Sequence, residues 1–227
     1  MLPSSACLLL YLFMAMPPKI WLYRITHIAN LKHDLLHGLH IAGSPRANPS
    51  YYQIGDSTLI TYRKEIPAPD PPGGTLADYI PFYLGPRSPM LYQIASGWED
   101  IQKHPQENII YYISSLDKVK SAGLKYFFTD GHARSKTSTA YTNDEDLQKL
   151  DWDAIYASNW KSDEFDLRRK EKKQSEFFVK NYVPFHCIEH IGVYNKDAEQ
   201  KVLSLLSAHQ IIVPIRVSPQ KLYYDHL

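Results

Sequence analysis

The triplet Gln174-Ser175-Glu176 places one carboxylate at the junction between two contrasting stretches of the chain. The run before it, Arg168–Lys173, is basic and helix-forming, and the run after it, Phe177–Val179, is apolar and strand-like. A glutamate at such a junction can be held rigidly beside a substrate and can stabilise positive charge that develops only in a transition state. Because Gln-x-Glu also recurs on many solvated helices, its significance depends on the residues that the fold brings to it.

Two further residues have side chains suited to such a site. Arg63 lies in a long loop, where an arginine is normally solvent-facing, but in a functional loop it can pair with a diphosphate or handle a proton on an acceptor. His27 ends the first predicted strand, next to Arg24 and Asn30. Its ring could cap the chain, pack, or hydrogen-bond a ribose hydroxyl, and the local sequence leaves these alternatives open.

Several familiar catalytic sites have no counterpart in this sequence. It contains no Gly-x-Gly-x-x-Gly, no Gly-Lys-Ser/Thr phosphate loop and no Gly-x-Ser-x-Gly elbow, which argues against a Rossmann dehydrogenase, a nucleotide hydrolase or a serine hydrolase. Its two cysteines, Cys7 and Cys187, exclude a disulfide framework and a cysteine-based zinc site. Such cysteine usage fits a reducing compartment, so we expect a cytoplasmic protein.

Two groups of histidines have the spacing of metal ligands. His186–His190 reads His-x-x-Glu-His, a zinc-protease motif that requires both histidines on one helix. The surrounding apolar residues and a nearby proline favour the start of a strand instead. His33, His37 and His40 are spaced along a helix face, but Gly38 ends that helix, so we interpret them as surface histidines. We therefore predict no metal, with a zinc hydrolase as a remote alternative.

The composition restricts which nucleic acids the chain could bind. The net charge is only +1, so there is no global electrostatic signature of duplex binding, and any contact would be local and single-stranded. The 17 tyrosines include rings that could stack on bases or sugars, although most are expected in the core. The basic run before Glu176 is most often a solvated helix face, and its alternative role is a strip for backbone phosphates.

The elements that must position these residues alternate without a regular βαβ period, which predicts an α+β fold with a mixed sheet. The region from Ser44 to Gly74 reads as one long loop, functional or disordered. Hydrophobic patterning predicts helices at His27–Leu36, Leu147–Ala157, Glu164–Gln174 and Ala198–His209 and strands at Trp21–Thr26, Tyr79–Leu84, Ile109–Ile113, Lys125–Phe128, Ile188–Val193 and Ile211–Val217.

The chain length of 227 residues suits one domain. We assign it to residues 20–227 and interpret residues 1–19 as an N-terminal extension. Ala6–Ala15 is apolar but has the length of a signal-peptide core rather than of a spanning helix, and neither basic residues before it nor a cleavage site after it support secretion. We expect that translation begins at Met16 or that residues 1–15 are loosely ordered, and that the protein has no membrane partner.

Taken in order, short motifs along the chain resemble the DarT family of bacterial toxins, which are DNA ADP-ribosyltransferases. The resemblance covers roughly residues 20–220. The matching pieces are Trp21–His27, Leu36–Leu39, Ile54-Gly55, Gly74–Leu76, Asp78–Tyr83, Ser88–Leu91, Phe128–Ala133, Leu150–Trp152 and Gln174–Glu176.

The resemblance implies an ADP-ribosyltransferase fold with a split, mixed β core that holds NAD, and transfer of ADP-ribose to a base, usually thymine, in single-stranded DNA. It implies that Glu176 is catalytic and that Arg63, in the NAD-binding loop, also accepts the proton of the base. The cofactor-binding residues implied with Arg63 are His27, Ile28, Ala29, Leu36 and Ser44. The region from His132 to Glu176 would meet DNA, with His132, Arg134, Arg168 and Arg169 as candidate contacts.

The implied chemistry agrees with the side chains. Breaking the nicotinamide–ribose bond builds positive charge on the ribose, as in glycoside hydrolysis, and a carboxylate beside it lowers the barrier. Arg63 as proton acceptor is the demanding step, because a guanidinium releases its own proton very reluctantly. The family also implies a macrodomain-type antitoxin as partner. Alternatives are another acceptor (guanine in DNA, RNA or protein) and an inactive nucleic-acid-binding module on the same scaffold.

Overall fold

A large mixed sheet is the framework of the molecule. The computed structural model describes residues 15–98 and 101–224, so most of the predicted N-terminal extension lies outside the described residues. Eight strands form one sheet in the order β10-β9-β4-β1-β3-β7-β5-β6, with β10 parallel to β9 and the other pairs antiparallel, and β2 pairs with β8 separately. The strands are β1 Trp21–His27, β2 Leu39–His40, β3 Tyr79–Tyr83, β4 Ile109–Ser115, β5 Tyr126–Thr129, β6 Ala140–Tyr141, β7 Glu176–Lys180, β8 Tyr182–Val183, β9 His190–Val193 and β10 Ile215–Val217.

Short helices connect these strands, and the longest is α7. Among the described residues, none of the helices is both long and apolar enough to cross a membrane. The helices are α1 Leu31–His37, α2 Ser57–Tyr62, α3 Pro89–Ser96, α4 Leu116–Ser121, α5 Trp152–Tyr156, α6 Arg169–Lys172, α7 Lys196–Ala208 and α8 Pro219–Leu222.

Strand register lines up one row of side chains across the centre of the sheet. Glu176 lies opposite Tyr83, Tyr83 opposite Tyr23, Tyr23 opposite Ile113, and Ile113 opposite His190. Residues directly opposite one another in a sheet project from the same face. The carboxylate at the start of β7 therefore shares a face with aromatic side chains that reach as far as β9.

The two faces of the sheet are packed differently. One face is covered by α1, α4 and α7, whose apolar residues join Leu22, Tyr112 and Phe177 in one large core. On the other face two smaller clusters form, one around Tyr23 and one around Phe178. Tyr83, Tyr23 and Ile113 of the row belong to the Tyr23 cluster, so Glu176 at the end of the row lies between this cluster and that of Phe178, which shares its strand.

The predicted α+β class and mixed sheet are confirmed, as are the main strands and the helix over residues 196–208. The helix predicted to end at Gly38 does so: this glycine has φ +78°, and a Cβ there would lie 2.5 Å from the Tyr182 ring. Leu36, which the resemblance implies as a cofactor residue, is 54% exposed on this helix. The predicted loop Ser44–Gly74 contains the short helix α2.

Two predicted helices are much shorter than their sequence patterns indicate. The pattern over Leu147–Ala157 is split into a 3₁₀ turn and α5. The prediction over Glu164–Gln174 is wrong except at α6, because Asp163 and Asp166 accept hydrogen bonds from backbone N–H groups two or three residues on. Such local bonds offer the backbone an alternative to the helix.

Asp34 on α1 is a buried carboxyl group whose ionisation affects stability. Burial raises its pKa to about 6, although the Tyr112 hydroxyl, which donates to Oδ2 at 2.9 Å, and the charge of Arg24 oppose the shift. Because the pKa of Asp34 is raised from 3.8 to about 6, the contribution of this carboxyl group to the free energy of unfolding is fully present below pH 3.8. That contribution is lost as the pH rises through about 6.

We expect Asp34→Asn to remove this pH-dependent loss. Relative to the wild type, the variant should gain about 1–3 kcal/mol in free energy of unfolding between pH 4 and pH 7, since one pKa unit corresponds to about 1.4 kcal/mol. Urea unfolding at a series of pH values measures the difference. A difference that stays constant with pH would contradict the assignment of this slope to Asp34.

Candidate active site

Glu176 is fixed at the first position of β7 and is only 2% exposed. Arg63 Nη2 lies 3.1 Å from its Oε1, and the Ala133 backbone N–H donates to Oε2 at 2.9 Å. The Glu176 N–H itself donates to Thr129 Oγ1 at 3.3 Å. Both carboxylate oxygens thus have a donor, and the charge is held in one orientation within the sheet face.

Arg63 reaches this carboxylate from the residue after α2. Its carbonyl accepts a hydrogen bond from the Ala77 N–H at 3.2 Å, and its guanidinium carbon lies 6.0 Å from the centre of the Phe178 ring. The Arg63 side chain is 27% exposed, against 3% for that of Glu176. The arginine therefore covers the carboxylate on the side that is open to solvent.

Tyr83 is the neighbour of Glu176 across the strand pair. Burial raises the pKa of its hydroxyl strongly, and the negative charge of Glu176 adds to the shift. The phenol therefore stays protonated and neutral at every physiological pH and is a hydrogen-bond donor beside the carboxylate. The role of Tyr83 could not be predicted from local sequence, because only the register of β3 against β7 makes the two side chains neighbours.

His27, at the end of β1, is held between two other rings. The Tyr52 ring stacks on it at 4.0 Å between centroids, and His104 lies edge-on at 6.0 Å. Burial and then the neighbouring His104 lower its pKa below the usual 6.5, so the imidazole is neutral at pH 7. Its Nδ1 accepts a hydrogen bond from the Ala29 N–H at 3.2 Å. The proton is therefore on Nε2, which makes that atom a donor.

Asn30 fixes the loop that covers His27. Its side chain is fully buried and accepts from the Tyr52 N–H at 2.7 Å, while its Nδ2 donates to the Tyr52 carbonyl at 3.0 Å and to Thr26 Oγ1 at 2.9 Å. These bonds hold residues beyond position 50 above the end of β1. This role could not be predicted from the sequence, because the partner lies 22 residues further along the chain.

The predicted loop residues His132 and Arg134 flank Ala133, the backbone donor to Glu176. His132 Nδ1 accepts from the Arg134 N–H at 3.2 Å. The Arg134 guanidinium lies 4.4 Å from the centre of the Tyr62 ring on α2. The loop after β5 and the helix before Arg63 therefore meet at the same place as the carboxylate.

Arg168 and Arg169 are engaged with acidic side chains of the chain itself. Arg168 pairs with Glu171 at 2.6 Å and donates to the Thr137 carbonyl at 2.8 Å, and Arg169 pairs with Asp163 at 3.1 Å. Glu171 also accepts from Thr137 Oγ1 at 2.7 Å. In this arrangement the basic run pins the loop after β5 against α6.

The remaining predicted cofactor residues lie around the chain segment that follows His27. Ile28 and Ala29 form a 3₁₀ turn directly after it, and Leu36 is exposed on α1. Ser44 Oγ hydrogen-bonds the His40 ring and accepts from the Arg46 N–H. The structure thus joins Arg63 and Glu176 directly, whereas Leu36 and Ser44 take part in neither that ion pair nor the His27 stack.

The helix required by the alternative zinc site is not formed. His186 lies in a 3₁₀ turn and His190 begins β9, so the two rings do not share one turn of a helix. Within residues 15–98 and 101–224 no group of three or more metal-ligating side chains could hold an ion.

A mixed sheet with a buried, ion-paired glutamate at the start of a strand agrees with the ADP-ribosyltransferase fold expected from the sequence. Comparison of the coordinates with solved structures confirms this class. Thermus sp. 2.9 DarT in complex with ADP-ribosylated ssDNA superposes with a TM-score of 0.84 at 37% identity, over 92% of this chain and 99% of that chain. The same enzyme in complex with NAD⁺ gives 0.78 at 36% identity, over the same shares.

Sequence comparison identifies the family. The protein-family model described as "ssDNA thymidine ADP-ribosyltransferase, DarT" matches residues 23–224. Similar proteins named DNA ADP-ribosyl transferase occur in Thermus sp. (strain 2.9), 42% identical over 84% of this chain and 88% of the relative, and in Escherichia coli O127:H6, 34% identical over 80% and 83%. The chain belongs to the DarT family of DNA ADP-ribosyltransferases, as its motifs predicted.

Proposed function

We propose that this protein transfers ADP-ribose from NAD to thymine in single-stranded DNA and acts as a toxin. The observation that carries the proposal is Glu176, a buried carboxylate whose two oxygens are oriented by Arg63 and by the Ala133 N–H. Support comes from the family match over residues 23–224 and from the likeness to a DarT enzyme bound to ADP-ribosylated ssDNA.

The side chains present fit NAD as a substrate. A guanidinium suits a diphosphate, the Nε2 donor of His27 suits a ribose hydroxyl or the nicotinamide amide, and a fixed carboxylate suits positive charge that develops on the ribose. We assign the nicotinamide side to His27 and the backbone of Ile28 and Ala29, and place Leu36 and Ser44 in the outer part of the same binding region.

The proposed transfer balances without a further reactant. The bond between ribose C1′ and the nicotinamide nitrogen breaks, and its electron pair leaves with nicotinamide. A bond from C1′ to N3 of thymine forms, and the N3 proton passes to water. Glu176 stabilises the charge on the ribose between these events.

We propose that Arg63 has two arrangements. In one, its guanidinium donates to Glu176 Oε1 at 3.1 Å within the ion pair. We propose that Arg63 leaves Glu176 when NAD and DNA are bound and then faces the acceptor base. His132, Arg134, Arg168 and Arg169 would approach the strand, the last two after exchanging their ion pairs for phosphates.

Replacing His27 with alanine should weaken NAD binding more than it slows the chemistry. Loss of one hydrogen bond and of the stack with Tyr52 costs about 1–1.5 kcal/mol, so we expect KM for NAD to rise about tenfold with kcat changed less. Steady-state kinetics with a saturating oligonucleotide give both constants. His209→Ala at the end of α7 is the matched control, and an equal effect of the two substitutions would contradict the assignment.

The identity of the base that accepts ADP-ribose is tested with oligonucleotides of defined sequence. Strands containing thymine should gain the mass of one ADP-ribose, while strands in which every thymine is replaced by N3-methylthymine should not, because the attacking nitrogen is blocked. Modification of the blocked strand, or of guanine alone, would favour the alternative acceptor.

We also propose a cytoplasmic location and regulation by a macrodomain-type antitoxin that removes the modification. The supporting observations are the DNA substrate of the family and the two-cysteine composition. Incubation of modified oligonucleotide with a macrodomain hydrolase should restore the original mass, and a resistant adduct would contradict this pairing.

A further inference from the structure

A cavity opens on the same sheet face as Glu176, towards the β10 edge of the sheet. It has a volume of about 580 Å³ and lies between β9, β10, α8 and the loop that follows β3. We call it the distal groove. Its polar and aromatic lining residues include Trp21, Arg87, Tyr156, His190, Arg216 and Lys221.

The distal groove is electropositive. Arg87, Arg216 and Lys221 line it, and within the described part of the chain none of its lining residues is acidic. The nearby Glu189 is already paired with Lys19 at 2.8 Å, and it also accepts from the Ser115 hydroxyl. This arrangement leaves cationic side chains facing the cavity, which suits an anion such as a phosphodiester.

Flat rings lie beside these cations. The Trp21 indole packs against the His190 imidazole at 5.6 Å between centroids, and Lys19 Nζ is 4.1 Å from the centre of the indole. Burial, followed by the charge of Arg216, lowers the pKa of His190, so its ring is neutral at pH 7. Alternating cations and aromatic faces are the pattern with which proteins bind single strands.

Two buried nitrogen atoms at the groove have spare hydrogen-bonding capacity. In the described structure neither Arg87 Nε nor His190 Nδ1 has a hydrogen-bond partner. A buried donor without an acceptor is destabilising, so a ligand oxygen that accepts a hydrogen bond from Arg87 Nε would relieve that cost.

The distal groove and the active site are joined by the sheet itself. From Glu176 to His190 the row crosses four strand spacings, which is about 19 Å at ~4.8 Å each. At the stacked rise of about 3.4 Å per nucleotide this corresponds to five or six nucleotides, and to fewer in an extended strand. Arg87, which lines the groove, follows Tyr83 of this row by four residues in the chain.

We propose that the distal groove binds a flanking nucleotide of the same single DNA strand whose target base reaches Glu176. Arg216 and Lys221 contact a phosphate, and Trp21 stacks on a base. The inference rests on the proposed function and adds a remote subsite to it, so that affinity for DNA depends on strand length as well as on the target base.

Fluorescence anisotropy without NAD tests this directly. Single strands with one central thymine and flanks of zero to eight nucleotides are titrated against the wild-type protein, Arg216→Ala/Lys221→Ala, Trp21→Ala, and Lys196→Ala as a matched control on the opposite face of the sheet. For long strands bound to Arg216→Ala/Lys221→Ala, we expect the slope of log K against log salt to become less steep by about 0.7 for each lost phosphate contact. Trp21→Ala should weaken the binding of long strands about 5- to 100-fold, and Trp21→Phe should restore most of the affinity.

Short strands should bind all these proteins equally. Equal losses for short and long strands, or no loss for any strand, would overturn the proposal. Transfer of ADP-ribose to the short strand is assayed in parallel. Its absence in the wild-type protein would refute the proposed function, whereas a length effect on binding reports on the distal groove alone.

Discussion

Glu176→Gln should lower the rate of ADP-ribose transfer at least about a hundredfold, because removal of a single group that stabilises transition-state charge commonly costs this much. The amide keeps the size of the side chain and can accept the hydrogen bond from Ala133, but it carries no charge. Binding of NAD should change far less than kcat, since the positive charge on the ribose develops only as the bond breaks. Single-turnover kinetics at saturating NAD measure the effect.

Asp144→Asn provides the control for this experiment. It is also a carboxylate-to-amide change in an ion pair, here the pair between Asp144 and Lys120. Asp144 also accepts a hydrogen bond from the hydroxyl of Tyr126 on β5. The control should retain normal transfer. If Glu176→Gln retains normal transfer as well while folding normally, Glu176 is not the catalytic carboxylate.

Arg63→Ala is the second substitution with a large expected effect. Without the guanidinium, Oε1 of the buried Glu176 loses its hydrogen bond from Arg63, while Oε2 keeps the one from the Ala133 N–H. Because a buried polar group without its partner costs about 1–3 kcal/mol, the protein should be less stable by about this amount. Transfer should fall about a hundredfold or more, because the proposed roles of Arg63 include both the diphosphate and the acceptor base. Thermal unfolding and transfer assays are measured on the same preparation.

Arg63→Lys separates the structural role from the chemical one. The ammonium can still pair with Glu176, so stability should return, but it has no planar fork for bidentate contacts and transfer should stay low. Arg46→Lys in the same loop region is the matched control. Full activity of Arg63→Lys would mean that only a positive charge is needed at this position.

Two strands of the sheet could be predicted from the sequence because they contain continuous apolar runs. Ile109–Ser115 is buried throughout, and Phe177–Val179 in β7 is fully buried, so local patterning sufficed for both. The charged helix before Glu176 could not be predicted correctly, because the side chains of Asp163 and Asp166 bond to backbone N–H groups instead. Local competition of this kind does not show in a count of helix-forming residues.

The site was predictable only in part. Glu176 and Arg63, which carry charge and sit in recognisable motifs, are brought together by the fold over 113 residues of separation. Tyr83, Asn30 and Ala133 were missed because their roles depend on strand register or on backbone atoms. Sequence motifs identify reactive side chains, whereas the groups that orient them are set by tertiary structure.

We propose that the protein transfers ADP-ribose from NAD to a base in single-stranded DNA with Glu176 as the catalytic carboxylate. The most direct measurement is mass spectrometry of matched single- and double-stranded oligonucleotides incubated with NAD and either the wild-type protein or Glu176→Gln. We predict that the wild type adds the mass of one ADP-ribose to the single strand, that the duplex is modified far less, and that the adduct is lost with the variant. Modification of the protein alone, or a DNA adduct that persists with Glu176→Gln, would contradict it.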